Sequence, residues 1–166
     1  MTNLQIRPGR PDELATVEAL LREASAWLAS RNIDQWQFPP HRDRITAALE
    51  LGSCFLAFTD GQPVATVQVD DFADPEFWTI DDAPGDALYV HRMAVRRTVA
   101  GKGVGAELLD WAAEYATTRG KSWLRLDAWK DNEALHNYYR STGFTLVRIV
   151  DLPHRRSGAL FQRRAA

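Results

Sequence analysis

Cysteine is almost missing from this chain: of 166 residues only Cys54 carries a thiol. No intrachain disulfide can form, so packing and hydrogen bonds must hold the fold. Cys54 lies between "LELGS" and "FLAF", a context that predicts a buried strand residue. An acyl-cysteine intermediate has no supporting motif beside it. Lysine is scarce as well, with three residues against 17 arginines, an imbalance that by itself assigns no function. No stretch reaches the roughly 18 apolar residues of a membrane span, and the opening "MTNLQIRPGRPDE" lacks the apolar core of a secretory signal. A soluble, cytoplasmic protein is expected, with no membrane partner. The formal net charge of -2 argues against a broad basic face, so no nucleic-acid partner is expected. No grouping of His, Cys and Asp has metal-ligand spacing, so no metal is expected.

What is present reads as one α/β domain over residues 1–166, a length sufficient for a real core. "LQIR" suits a short first strand. Pro11, Asp12 and Glu13 suit the first turn of a helix, where a missing N–H costs nothing and acids meet the positive end of the dipole. Leu14, Val17, Leu21, Ala24 and Leu28 continue it at helical spacing and end it near "SRNID". "QWQFPP" breaks regular structure, and "DRITAALEL" predicts a second helix. "SCFLAFTDGQPVATVQV" predicts a hairpin around Asp60-Gly61. An acidic connection, "DDFADPEFWTIDDAPGD", leads to the strand "ALYVHRMAV". A helix over 104–118 follows, with Gly120 as its stop. Then come the strand "SWLRLDAW", the helix "NEALHNYYRST" stopped by Gly143, and the strands "FTLVRIV" and "GALFQRR". Helices, a hairpin and then alternating strands and helices imply a mixed, partly antiparallel sheet.

Three glycines, Gly101, Gly103 and Gly105, stand in "AGKGVGAELL" where a helix begins. Glycine allows tight turns and close approach to a ligand, and the first amides of a helix point at anions. A phosphate-bearing ligand is expected. A P-loop fits poorly, because Gly103 stands where serine or threonine should follow Lys102. A dinucleotide fingerprint is formally met by Gly101, Gly103 and Ala106. It should leave its strand directly and open the domain, whereas "RRTVA" intervenes and only 60 residues follow Ala106. A purely structural turn is the remaining plain account.

The segments "HRMAVRRTVAGKGVG" and "NEALHNYYRSTGF", taken together, resemble the GNAT superfamily of acyl-CoA-dependent N-acyltransferases, and the likeness extends over nearly the whole chain. The family's pyrophosphate loop is commonly [RQ]-x-x-G-x-[GA]. Here it reads "AGKGVG", so Ala100 replaces the usual arginine or glutamine and the main-chain donors are what remain. Asn132, Tyr139 and Gly143-Phe144 match the second pattern.

The resemblance implies a mixed, centrally splayed sheet of six or seven strands flanked by helices. It implies acetyl-CoA as cosubstrate. Its pantetheine arm would meet the backbone of Met93, Ala94 and Val95, an added-strand mode of recognition. Its pyrophosphate would lie on Ala100, Gly101, Lys102, Gly103, Val104, Gly105 and Ala106. Asn132 would cap its helix or contact the cofactor arm or the amine site. Tyr139 would protonate the departing thiolate, and Tyr138 would take a core or cofactor-lining place. His91, alternating with Met93 and Val95 on its strand, would serve as base or orient a water. It can equally be a satisfied buried polar residue. Asp127 can orient an amine or cap a turn. His41, His136 and His154 read as ordinary surface residues.

Direct transfer to a primary amine of a small cationic molecule is the expected reaction. A peptide or protein amine and a non-catalytic acyl-CoA sensor are the alternatives. Seven acidic residues between Asp70 and Asp86, with no lysine or arginine among them, are either a solvated loop or a rim that attracts a cation. Trp27, Trp36, Phe38, Phe72, Phe77 and Trp78 can line an acceptor wall with a cation-binding face or pack as core. Small proteins of the family often dimerise, so a homodimer stays open.

Overall fold

A computed structural model of the chain describes residues 3–30 and 42–166. In chain order the elements are β1 (Leu4–Pro8), α1 (Leu14–Ser30), α2 (Arg42–Leu51), β2 (Cys54–Thr59), β3 (Gln62–Asp70), β4 (Ala87–Val95), α3 (Val104–Thr118), β5 (Trp123–Trp129), α4 (Glu133–Ser141), β6 (Thr145–Ile149) and β7 (Ser157–Arg164). Single 3₁₀ turns at Pro11–Glu13, Ile80–Asp82, Pro84–Asp86 and Arg97–Val99 punctuate them. The seven strands form one mixed sheet in the order β1-β2-β3-β4-β5-β7-β6. By proximity within the chain the fold resolves into two compact units. The first comprises Met1–Val69 with His91–Leu108, and the second Asp70–Val90 with Leu109–Ala166. Strand β4 and helix α3 contribute to both.

In the first unit β1, β2 and β3 form an antiparallel meander. The β2–β3 turn is made by Asp60 and Gly61, at φ 51° and 76°. Both signs match the left-handed pair of a type I′ turn, whose twist suits the flanking strands. A bulge at Ala57/Phe58 adds twist. The buried stripe of α1, Val17, Leu20 and Leu21, meets Ile45, Ala48 and Leu49 of α2 over Cys54, Leu56 and Ala94. Cys54 is therefore the buried strand residue expected of it, and burial pushes its thiol pKa up, which disfavours the nucleophilic thiolate.

In the second unit β4 runs parallel to β5, with pairing from Ala87 opposite Trp123 to Tyr89 opposite Arg125. Strand β7 lies antiparallel between β5 and β6. A second core gathers Phe77, Trp78, Ala87, Tyr89 and Leu160.

The start of α1 is fixed by Glu13. Its carboxylate accepts bonds from the two terminal guanidinium nitrogens of Arg7, at 2.8 and 2.9 Å, and from the Arg10 backbone N–H at 2.9 Å. The bonds from Arg7, ahead of the Arg10 amide, depress the Glu13 pKa from 4.5 to about 2. A depressed folded pKa gives stability that is complete above the unfolded value and is lost as pH falls through the folded one. We expect Glu13→Gln to lower the unfolding free energy at neutral pH by about 1 kcal/mol, a modest value because Arg7 is 39% exposed. Denaturant titrations of the two proteins should converge as the pH falls from 4.5 towards 2.

Candidate active site

Within the first unit the second half of β4 and the turn after it carry the expected cofactor residues. Arg92 sits in the middle of the strand at φ 47°, a left-handed conformation uncommon for any residue but glycine. Its guanidinium donates to Gln68 Oε1 at 2.8 Å. The alternation drawn from His91 through Met93 to Val95 is interrupted at this residue, because one left-handed residue redirects a strand. Beyond it, Arg96 N–H donates to Val64 C=O at 2.7 Å. Backbone polar groups alternate sides along a strand. Those of Ala94 therefore face β3, and those of Met93 and Val95 face away from it. The side chain of Ala94 is buried in the helix-facing core, and His91, Met93 and Val95 are half-buried.

The turn at Arg97–Val99 runs on through bonds from Ala100 N–H to Arg97 C=O and from Lys102 N–H to Val99 C=O, both 3.2 Å. Gly101 and Gly103 follow at φ 79° and 81°. A side chain at either would be strained, yet its Cβ would meet nothing within 4 Å. The space above the turn is open. The first helical bond of α3 runs from Glu107 N–H to Gly103 C=O, so the amides of Val104, Gly105 and Ala106 have no partner within the helix. Lys102 is exposed and Ala100 half-buried. This cradle of main-chain donors fits a diphosphate.

Within the second unit α4 carries Asn132 and Tyr139. Asn132 caps the helix, its Oδ1 accepting Leu135 N–H at 3.0 Å. Tyr139 is half-buried, with ring contacts to Tyr138, Phe144 and Phe161 at 5.6–5.8 Å. Its hydroxyl makes no hydrogen bond to any described residue. Burial, assisted by Tyr138 and Asp127, pushes its pKa well above the ordinary phenol value. A raised phenol pKa keeps the proton on Oη across the neutral range and makes this group a donor. Asp127 is half-buried on β5 and accepts the Ser157 hydroxyl through Oδ2.

Several expectations change here. His136 is not a surface residue. It is 2% exposed, its Nε2 lies 2.8 Å from Trp129 C=O, and its ring tilts against Phe161. It shares the inward stripe of α4 with Tyr139, three residues on. His154 is exposed and pairs with Glu76 at 2.6 Å. His41, Trp36 and Phe38 lie outside the described residues.

Phe77 and Trp78 are core, not wall. The cations over their rings are the chain's own, Arg155 at 4.4 Å and Arg125 at 4.8 Å. Trp27 likewise carries Arg97, and Phe72 alone of the four described aromatics is largely exposed. Three of the seven carboxylates of the acidic connection are committed to arginines as well. Asp82 takes both terminal nitrogens of Arg148, at 2.6 and 2.9 Å, which hold its pKa well below the carboxylate range. Asp74 and Glu76 share Arg155. Arg125, buried, donates to Asp82 C=O, Tyr89 Oη and Gln162. Its signal in the sequence is a lone cation inside the apolar run "WLRLDAW". Arg92 left no signal that composition or periodicity could register.

A family model for the GNAT acetyltransferases matches residues 18–144. The chain belongs to that family. It is 33% identical over 147 residues to YesJ of Bacillus subtilis, described as an uncharacterized N-acetyltransferase, covering 84% of this chain and 81% of the relative. In fold it is similar to a GNAT-family acetyltransferase of Listeria monocytogenes, with TM-score 0.77, 22% identity and coverage of 97% and 94% of the two chains. It is also similar to the PaiA N-acetyltransferase of Thermoplasma acidophilum, solved in complex with coenzyme A, with TM-score 0.75, 16% identity and coverage of 98% and 99%. At these identities the structural likeness concerns the fold. The seven-stranded mixed sheet is the one the family resemblance implied. Among the described residues no group of three or more His, Cys, Asp or Glu could hold a metal, and no helix is long and apolar enough to cross a membrane.

The capping bond of Asn132 carries a prediction of its own. Asn132→Ala should cost about 1 kcal/mol of stability through the lost cap, read as a lower urea midpoint with an unchanged slope.

Proposed function

We propose that the chain is a single N-acetyltransferase domain that transfers the acetyl group of acetyl-CoA directly to a primary amine of a small molecule. The observation that carries this reading is Tyr139: a half-buried, protonated phenol on a family-matching helix whose hydroxyl has no partner among the described residues. A half-buried hydroxyl with no described protein partner is available to a ligand atom.

Acetyl-CoA brings an activated thioester carbonyl and a thiolate leaving group. The amides of Val104, Gly105 and Ala106, with the open space over Gly101 and Gly103, would hold its diphosphate. Lys102 adds a solvated positive charge, and Ala100 contributes main chain only. The outward backbone groups of Met93 and Val95 would take the pantetheine amides, while Ala94 packs the strand from behind. The amide nitrogen of Asn132 is the atom its cap leaves for a ligand. Tyr139 holds its proton at Oη and gives it to the departing thiolate, help worth roughly 10²–10⁴-fold. His91 is the candidate to take the proton of the amine, directly or through water.

A preference for a cationic acceptor was expected from the acidic connection. Asp74, Glu76 and Asp82 already have cationic partners within the chain, so these three carboxylates lend that preference no support. A peptide acceptor and a silent acyl-CoA sensor remain the competing readings. Release of free CoA across a panel of small amines and peptides, with mass analysis of products, separates all three. Product from small amines is the expected outcome; product from peptides alone would replace the acceptor class, and binding without product would establish the sensor.

Tyr139→Phe removes the donor and keeps the ring packing. We expect kcat to fall at least 100-fold with the Kd for CoA little changed. Because the phenol pKa is raised, any limb of the wild-type pH–rate profile between pH 6 and 9 should persist in this variant at its lower rate. Unchanged turnover under chemistry-limited conditions would remove Tyr139 from its role.

A further inference from the structure

The turn proposed to hold the diphosphate has little side chain of its own to fix it. Ala100 offers a methyl group, and Gly101 and Gly103 offer none. Its geometry is set upstream, where three successive tight turns link Arg96 to Val99, Arg97 to Ala100 and Val99 to Lys102. The first of these is held from two directions. On the strand side, Arg96 donates its N–H to Val64 C=O at 2.7 Å and its Nε to Pro63 C=O at 3.0 Å. On the helix side, Glu23 of α1 accepts the Arg97 N–H on Oε2 at 2.8 Å, and its Oε1 lies 3.9 Å from the Arg96 guanidinium. One turn further along α1, Trp27 carries the Arg97 guanidinium 3.9 Å above its ring.

The Arg97 amide is the first N–H of a 3₁₀ turn, a donor with no partner inside that turn. Arg96 stands at the N-cap position and its side chain makes no capping bond. Glu23, 74 residues away in sequence, supplies the missing acceptor. An ionised carboxylate on a main-chain donor is among the stronger hydrogen bonds available, and here it seats the beginning of a run that ends at Gly103.

We propose that Glu23 is a positioning residue for the cofactor, acting through the Arg97 main chain to hold the 97–103 turn in its phosphate-accepting form. The assignment rests on the reading that this turn holds acetyl-CoA. Trp27 supports it by fixing the Arg97 side chain, so that backbone and side chain of one residue are anchored to successive turns of the same helix. When a binding-competent form becomes one of several, apparent affinity falls in proportion to its population.

The test is a calorimetric titration of CoA into the wild type, Glu23→Ala and Glu23→Gln, beside amide hydrogen exchange across residues 97–106. Glu23→Ala should raise the Kd for CoA about tenfold and speed exchange in that segment. Glu23→Gln keeps an oxygen for the Arg97 N–H and should restore affinity to within about threefold of wild type. In turnover the Ala variant should show its loss in the KM for acetyl-CoA, with the amine KM unmoved. That split and the rescue by glutamine would not follow from a general loosening of the fold. Equal CoA affinity in wild type and Glu23→Ala would overturn the positioning role while leaving the cofactor reading intact. A wild type that binds no CoA would overturn the cofactor reading, and this role with it.

Discussion

The backbone of β4 cannot serve a neighbouring strand and a ligand with the same atoms, and Arg92, at φ 47°, marks where the proposed reading has it change from one task to the other. Before Arg92 the strand is buried from Ala87 to Val90 and pairs with β5 through Tyr89. After it, every second residue turns its amide and carbonyl away from β3. A non-glycine residue in the left-handed region costs of order 1–2 kcal/mol. Such strain persists only where the surroundings over-determine it, and the bond to Gln68 is one of the contacts that do so. The same economy governs the next turn. Gly101 and Gly103 take left-handed φ without penalty, and α3 begins with three amides its own turns cannot use. The proposed recognition surface is therefore almost wholly main chain. On the proposed reading, Ala100 in place of the family's usual arginine or glutamine leaves these main-chain donors intact.

The excess of arginine over lysine acquires a structural meaning in the second unit. A guanidinium is planar, offers several donors in fixed directions and stacks on aromatic faces. Arg125 uses all three properties at once, donating to Asp82 C=O, Tyr89 Oη and Gln162 while lying over Trp78. Arg148 and Arg155 take the carboxylates of Asp82, Asp74 and Glu76, and Arg155 also covers Phe77. An ammonium carries three donors but neither the planar fork nor the stacking face that these positions use. The long connection before β4, which composition alone presents as acidic and loose, is in this way pinned by cations that come from β5, β6 and the segment before β7.

Periodicity made most of the fold legible, because each element has a local signature. Examples are the 3.6-residue stripes of α1 and α3, the Asp60-Gly61 turn, and Asn132 three residues before the amide it caps. What stayed hidden depends on contacts between residues far apart in sequence. Nothing near Glu76 reveals Arg155, and nothing near Arg97 reveals Glu23. His136 hides for a related reason: a histidine on an amphipathic helix reads as polar face until the Trp129 carbonyl that satisfies it is known. Of the candidate site, the glycine turn and Tyr139 were readable from motif spacing. The break in strand alternation at Arg92 was not, since an arginine in a strand carries no mark of its φ.

The state of Tyr139 also constrains the rest of the chemistry. Desolvation comes first among the causes that raise its pKa, and the nearby carboxylate of Asp127 acts in the same direction. Both favour the neutral phenol, so this hydroxyl can donate but cannot act as the base at neutral pH. In the proposed mechanism the proton of an incoming amine must then leave by another group, and the two proposed roles fall on different elements: the donor on α4, the candidate acceptor His91 on β4. His91 immediately precedes the left-handed Arg92, so its side-chain direction is tied to the same strained residue that turns the backbone of Met93 and Val95 outward. If the proposed roles hold, a substitution that relaxed Arg92 would disturb base placement and cofactor recognition together. On this reading, one arginine in an unfavourable conformation couples two requirements of acetyl transfer carried by neighbouring residues of one strand.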